Sequence, residues 1–286
     1  MNELHTRLSE AIARLAATAT GEALPGDAEG IVDELLGALE RGDVRAAARG
    51  EDGVWRAVSW VKQGILLAFR AGRIVEHGTA GSLRFLDKHT LPVRAFAPAD
   101  NVRIVPGGSS VRRGTFVAPG VVCMPPMYIN VGAWVGAGTM VDSHALVGSC
   151  AQIGARVHLS AAAQVGGVLE PINATPVIIE DDVIVGGNCG VYEGTVVRER
   201  AVLGAGVILT RGTPVYDLVR EQVYRATAEA PLEIPAGAVV VPGARGITPA
   251  RSPWGTAEGL ALQTPVIVKY RDERTDLATA LEQWLR

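Results

Sequence analysis

Every sixth residue from Val105 to Val165 is apolar: Val105, Val111, Val117, Cys123, Ile129, Val135, Val141, Val147, Ile153, Leu159 and Val165. After Pro171-Ile172-Asn173-Ala174-Thr175-Pro176 the ladder resumes two residues out of step, through Ile179, Val185, Val191, Val197, Leu203, Leu209 and Val215. The residue after the ladder position is often glycine or small and polar, as at Gly136, Gly148, Gly154, Ser160 and Gly166. Four residues after it comes a small or β-branched one, as at Thr139, Ala145, Ala151, Ala163, Thr195 and Ala201. No α-helix sustains this pattern, because six is not a multiple of 3.6. Glycine this dense would also cost a helix about 1 kcal/mol per site. A short strand and a sharp turn repeating every six residues fit, with three such units closing one triangular coil. Each ladder side chain then points inward and stacks on its equivalent one coil away. With 5% aromatic residues and 34 glycines, the core must come from valine, isoleucine and alanine. The expected class is mainly β, a parallel β-helix.

The flanks read differently. Leu4, Leu8, Ile12 and Leu15 share one helical face, as do Ile31, Leu35 and Leu39. Residues 54–69 hold a short alternating stretch and then a helix that Gly72 could terminate. Beyond the ladder, residues 216–233 read as a polar insertion, and Ile234-Pro235-Ala236-Gly237-Ala238-Val239 as a last partial turn. An apolar strand over 265–269 and a short helix carrying Leu277, Leu281 and Leu285 follow. The expected organisation is a mainly helical N-terminal domain over 1–100, the β-helix over 101–242 and a strand/helix extension over 243–286. A parallel stack has two open ends, so the N-terminal helices are expected to cap one and the tail to cover the other.

Bulk properties exclude several function classes. The net charge is -3 without a long basic run, which argues against nucleic acid or an anionic membrane as partner. The longest apolar stretches are too short to span a bilayer, and the start Met1-Asn2-Glu3-Leu4 lacks the features of a secretory signal. Cys123, Cys150 and Cys189 cannot all pair and form no CxxC motif. They read as small apolar fillers in a reducing compartment, so a cytoplasmic location is expected.

Several strings go beyond the generic repeat. Gly138-Thr139-Met140-Val141-Asp142, Val147-Gly148-Ser149-Cys150-Ala151-Gln152-Ile153-Gly154, Val157-His158-Leu159-Ser160, Gly166-Gly167-Val168-Leu169-Glu170-Pro171 and Ile178-Ile179-Glu180-Asp181 resemble the tetrahydrodipicolinate N-succinyltransferase family of hexapeptide-repeat acyltransferases. Upstream, Arg84-Phe85-Leu86-Asp87-Lys88 and Arg103-Ile104-Val105-Pro106 do so too. The resemblance implies that the coil is left-handed, against the usual crossover preference. It implies a homotrimer with clefts between neighbouring coils, each taking a coenzyme A thioester and an amino-dicarboxylate, and no metal. The implied reaction moves a succinyl group from succinyl-CoA to the amine of tetrahydrodipicolinate in lysine and diaminopimelate biosynthesis.

Roles follow from the resemblance residue by residue. Asp142 is implied to contact the substrate amine, which must be neutral to attack a thioester and gains from a neighbouring carboxylate. Arg103 is implied to bind substrate, as a guanidinium can hold a carboxylate in a bidentate fork. Ser149 joins them as a substrate-binding candidate. Backbone N–H groups at Gly166 and Gly167 are candidates for polarising the thioester oxygen. Gly186, Gly204 and Ala205 would let the pantetheine arm lie against the backbone. Lys269, with Arg198, Arg200 and Arg211, is a candidate for the phosphates.

The chain also departs from the resemblance. Gly187-Asn188-Cys189-Gly190 stands where relatives usually carry Ala-Arg-Ser-Glu, so a carboxylate and a guanidinium are replaced by Gly190 and Asn188. Ser143-His144 stands in place of a Thr-Trp pair. Imidazole titrates near neutrality, so His144, or else Glu193, is a candidate replacement base. Alternatives are a relative using acetyl-CoA or a different acceptor, of the kind found in tabtoxin-like antibiotic biosynthesis, and a non-catalytic β-helix scaffold. A zinc hydratase of the γ-carbonic anhydrase type would need three converging histidines, and the repeat holds only His144 and His158.

Overall fold

The computed structural model describes residues 3–78 and 84–272. The N-terminal part contains three amphipathic helices: α1 (Glu3–Ala16), α2 (Ala28–Arg41) and α3 (Ser59–Ala71). Leu8, Ile12 and Leu15 of α1 meet Val32, Leu35, Leu36 and Leu39 of α2 and Val61, Ile65 and Ala68 of α3 in one buried cluster. Gly72 ends α3, its N–H donating to Ala68 O, as expected. Two antiparallel ribbons, Ala47–Arg49 with Trp55–Ala57 and Ile74–Gly78 with Arg84–Lys88, accompany the helices. Among the described residues no helix is long and apolar enough to cross a membrane.

From Arg103 the chain winds into a left-handed parallel β-helix. Two-residue strands repeat with an eighteen-residue coil, so Val135 pairs with Ile153 and Val141 with Leu159. The first face carries Phe116–Val117, Trp134–Val135, Gln152–Ile153, Ile178–Ile179 and Val196–Val197. The second carries Arg103–Ile104, Val122–Cys123, Met140–Val141, His158–Leu159, Ile184–Val185 and Val202–Leu203. The third carries Ser110–Val111, Tyr128–Ile129, Leu146–Val147, Gln164–Val165, Gly190–Val191 and Ile208–Leu209. In each pair the second residue points inward. Val135, Val141, Val147, Ile153 and Leu159 are all fully buried, and so are Thr139, Ala151 and Ala163 from the small-residue position.

The turns explain the glycine pattern. The third residue after the ladder position has positive φ, whether glycine (Gly138, φ 67°) or not (His144, φ 62°). Immediately after the ladder position the need is close approach: a Cβ on Gly148 would lie 2.1 Å from the Gly167 nitrogen. That contact leaves no room for a side chain.

Both ends of the ladder need correction. Ile104, not Val105, pairs with Cys123, so the first coil is one residue longer than the repeat. Val215 is buried but leaves the coil: Val215–Asp217 forms a hairpin with Gln222–Tyr224, and Ile234 takes the next slot beside Val197. Val240 then pairs with Leu203, and the strand Ala238–Gly246 runs antiparallel to Ala261–Tyr270. The expected helix over Leu277, Leu281 and Leu285 lies outside the described residues. The strand's Ile267 joins the coil core, together with Leu232 from the preceding loop.

The helices pack beside the coils instead of over an open end. Val131 and Cys150 from the turns join the helical cluster, while Phe96 and Val102, just ahead of the first coil, pack against its interior. The first ribbon docks on the first face, where Ala47, Ile178 and Val196 are buried together against Trp55. Arg45 fastens this contact, stacking 4.2 Å from the Trp134 ring centroid and donating to Gln152 Oε1 at 2.5 Å.

Candidate functional site

Asp142 follows the inward Val141 at the edge between the second and third faces. Its backbone N–H donates to Leu159 O, and its Oδ1 accepts the Ser143 N–H at 2.7 Å. These contacts fix the carboxylate as the turn's own cap while leaving Oδ2 to face the next coil. There His158 Nε2 stands 3.8 Å away. Both side chains are partly open, at 30% for Asp142 and 17% for His158. A carboxylate beside an imidazole in a half-open position can accept a proton and stabilise the charge that follows.

His158 is thus the imidazole beside Asp142. His144 is exposed and occupies the left-handed turn position, its N–H donating to Pro126 O. The signal was available: with an eighteen-residue coil, position 158 lies beside Met140, two residues before Asp142. Further along the same edge come Gly186, Gly187 and Asn188, then Gly204 and Ala205, whose backbone nitrogen lies 2.6 Å from where a Gly186 Cβ would sit. Arg103 points outward on the second face, two strands below Met140, and is exposed.

A second group gathers at the edge between the third and first faces. Here the coil is interrupted by loops over 166–177 and 210–232, and between them lies a cleft of ≈ 930 Å³. Gly166, Gly167, Tyr192, Glu193 and Arg211 line it. Glu193 Oε2 accepts the Arg211 N–H at 2.6 Å. The Gly166 N–H is committed to Val191 O at 2.8 Å, which removes Gly166 as a thioester donor. Ser149 lies one coil below, its carbonyl accepting the Val168 N–H. Glu193 and Ser149 therefore stand at a different edge from Asp142, and neither meets it within the chain. Tyr192, which the sequence did not single out, covers Gly190: a Cβ there would lie 2.4 Å from the ring.

The cations divide as well. Arg198 is a structural clasp, held by Glu233 and by Glu180 Oε1 at 3.0 Å. Glu180 also accepts the Trp55 indole N–H at 2.9 Å and the Glu199 N–H at 3.1 Å. Burial raises the Glu180 carboxyl, but these donors and the Arg198 charge outweigh it and hold the group below the usual carboxylate range. Lys269 lies on the Ala261–Tyr270 strand, 3.3 Å from Asp272 Oδ1. Arg211 remains at the cleft, its guanidinium on Thr227 O. All three cysteines are free and buried, and burial pushes the Cys123 and Cys150 thiols up to about 12, which suits fillers and not nucleophiles.

Known proteins match along nearly the whole chain. The model described as tetrahydrodipicolinate N-succinyltransferase N-terminal matches residues 3–71, and that for the hexapeptide repeat of succinyl-transferase matches 176–211. Proteins named 2,3,4,5-tetrahydropyridine-2,6-dicarboxylate N-succinyltransferase from Nitrobacter winogradskyi and Bradyrhizobium diazoefficiens are each 41% identical over 268 residues, covering 91% of both chains. One from Polynucleobacter asymbioticus is 39% identical over 269 residues, 93% of this chain and 92% of its own. The chain belongs to the tetrahydrodipicolinate N-succinyltransferase family. In this chain the two edges just described carry a carboxylate–imidazole pair and a loop-walled cleft.

Proposed function

We propose that this protein is an acyl-CoA-dependent N-acyltransferase that moves the succinyl group of succinyl-CoA onto the amine of tetrahydrodipicolinate in its open-chain 2-amino-6-oxopimelate form, within lysine and diaminopimelate biosynthesis. The observation that carries this reading is the partly exposed Asp142 carboxylate with His158 at 3.8 Å on a chain about 40% identical to relatives of that name over nine-tenths of its length. That identity spans both the helices and the coil, which disfavours the acetyl-CoA, altered-acceptor and scaffold readings.

In the proposed reaction the neutral amine attacks the thioester carbonyl directly. A C–N bond forms, the C–S bond breaks, and coenzyme A leaves as thiolate and takes up a proton. Asp142 orients the amine and accepts charge from it as the new bond forms, and His158 steadies the carboxylate. The Gly167 N–H is the remaining donor proposed for the developing oxyanion. Arg103 is proposed to grip a substrate carboxylate in a bidentate contact. The small-residue edge at Gly186, Gly204 and Ala205 would carry the pantetheine arm, with Lys269 of the same chain and Arg211 from a neighbouring chain's cleft near its phosphates. Glu193, tied to the Arg211 backbone, serves as wall of the cleft more readily than as base.

A single chain leaves Asp142 on one edge and the cleft on another. A homotrimer in which the Asp142 edge of one prism faces the cleft edge of its neighbour would complete the site three times over. A thiol-release assay with succinyl-CoA and acetyl-CoA, each against tetrahydrodipicolinate, tests the reading. Acceptor-dependent release with succinyl-CoA and little with acetyl-CoA is expected; equal or reversed preference would overturn the assignment of the donor.

A further inference from the structure

We infer that Lys62, in the helical part of the chain, is a positioning residue for acyl-CoA binding: it fixes the loop over 166–177 that forms one wall of the cleft. This inference rests on the proposed trimer, in which the cleft, with Gly167 and Arg211, faces the thioester held along a neighbouring chain's Asp142 edge.

Lys62 lies on α3 and is fully buried, a rare place for an ammonium unless it is engaged. Its Nζ donates to Pro171 O at 3.0 Å and to Ala174 O at 2.7 Å. Those two carbonyls belong to one turn, which the Ala174 N–H closes onto Pro171 O at 3.0 Å. Pro171 and Ala174 both line the cleft. The same loop is held a second time by Leu169, which packs against the helical cluster. A loop that leaves a regular coil has lost its ladder partners, and its carbonyls need others. Lys62 supplies donors from outside the coil and makes the position of the wall depend on the helices. Cys150, facing it, stays a neutral thiol because burial pushes it up to about 12, so the ammonium is committed to the loop.

The role is separable from general stability. Lys62→Met keeps the stem and removes the donors, and Lys62→Gln, whose amide is uncharged and one bond too short to bridge both carbonyls as Nζ does, serves if the methionine variant does not fold. Hydrogen exchange of residues 166–177 is compared with that of the coil strands. In parallel, the KM for succinyl-CoA and the Kd of coenzyme A by calorimetry are measured. We expect faster exchange confined to the loop, with KM and Kd raised about tenfold and kcat within about twofold of wild type. Unchanged loop exchange, or a fall in kcat with KM and Kd unmoved, overturns the inference. If the wild-type protein transfers no succinyl group, the proposed function fails, while loop exchange and coenzyme A affinity still decide the role of Lys62.

Discussion

His158 Nε2 stands 3.8 Å from Asp142 Oδ2 across one coil of the β-helix. The two residues come together because an eighteen-residue coil sets His158 beside Met140, two residues before Asp142. If the carboxylate takes charge from the attacking amine, Asp142→Asn lowers kcat by about 10²–10³, read by thiol release. His158→Gln, which removes the imidazole beside the carboxylate, lowers it by about tenfold. Equal activity in both variants would show that the pair is only a turn contact.

The inward column has no slack. Leu159 is fully buried between Val141 and Val185, so Leu159→Ala costs about 2–5 kcal/mol. Urea denaturation would measure it. Substituting the exposed His144 by glycine, which its φ of 62° favours, changes stability by less than about 0.5 kcal/mol.

Tyr192 closes the space over Gly190. Gly190→Glu, which installs the carboxylate that the family resemblance leads one to expect, places a Cβ 2.4 Å from the ring and costs about 1–3 kcal/mol through overpacking. The double variant Gly190→Glu, Tyr192→Val recovers most of that loss. A thermal melt of the two variants side by side checks the coupling.

The Trp55–Glu180–Arg198 clasp between ribbon and coil should be pH-dependent. Glu180 titrates below its usual value in the folded protein, so its contribution is present above the unfolded carboxylate pKa of about 4.3 and disappears as pH falls through the folded one. Glu180→Gln is expected to cost about 2 kcal/mol at pH 7. The gap to wild type should narrow as the pH drops below about 4, measured as chemical stability across pH.

The fold was legible because a coil of three six-residue steps writes itself directly into the sequence: Val135, Val141 and Val147 declare the interior without reference to anything distant. The ladder failed only at its ends, where Val105 and Val215 are apolar and in step but the chain departs. Apolarity marks burial, and Val215 is indeed buried, yet burial does not specify which strand a residue pairs with. The alternating stretch after Val54 holds the strand Trp55–Ala57, but its partner Ala47–Arg49 and the ribbon Ile74–Gly78 with Arg84–Lys88 were missed because strands this short carry little periodicity. The site was legible only in part. Asp142 stood out through its string, but His158, Tyr192 and Lys62 owe their importance to neighbours set by coil register and loop docking. Gly166 looked like a free donor until its partner, Val191 O, was known.

In the proposed homotrimer two chains complete each site, and hybrid trimers test this most directly. Asp142→Asn disables one edge; Gly166→Val, whose Cβ would lie 2.8 Å from Tyr192, obstructs the other. Each variant alone should be inactive in succinyl transfer. Co-expressed in equal amounts, they should recover about a quarter of wild-type activity, since that share of clefts pairs two intact edges. Mixed assemblies, shown by mass to contain both chains, that remain as inactive as either parent would contradict the shared site.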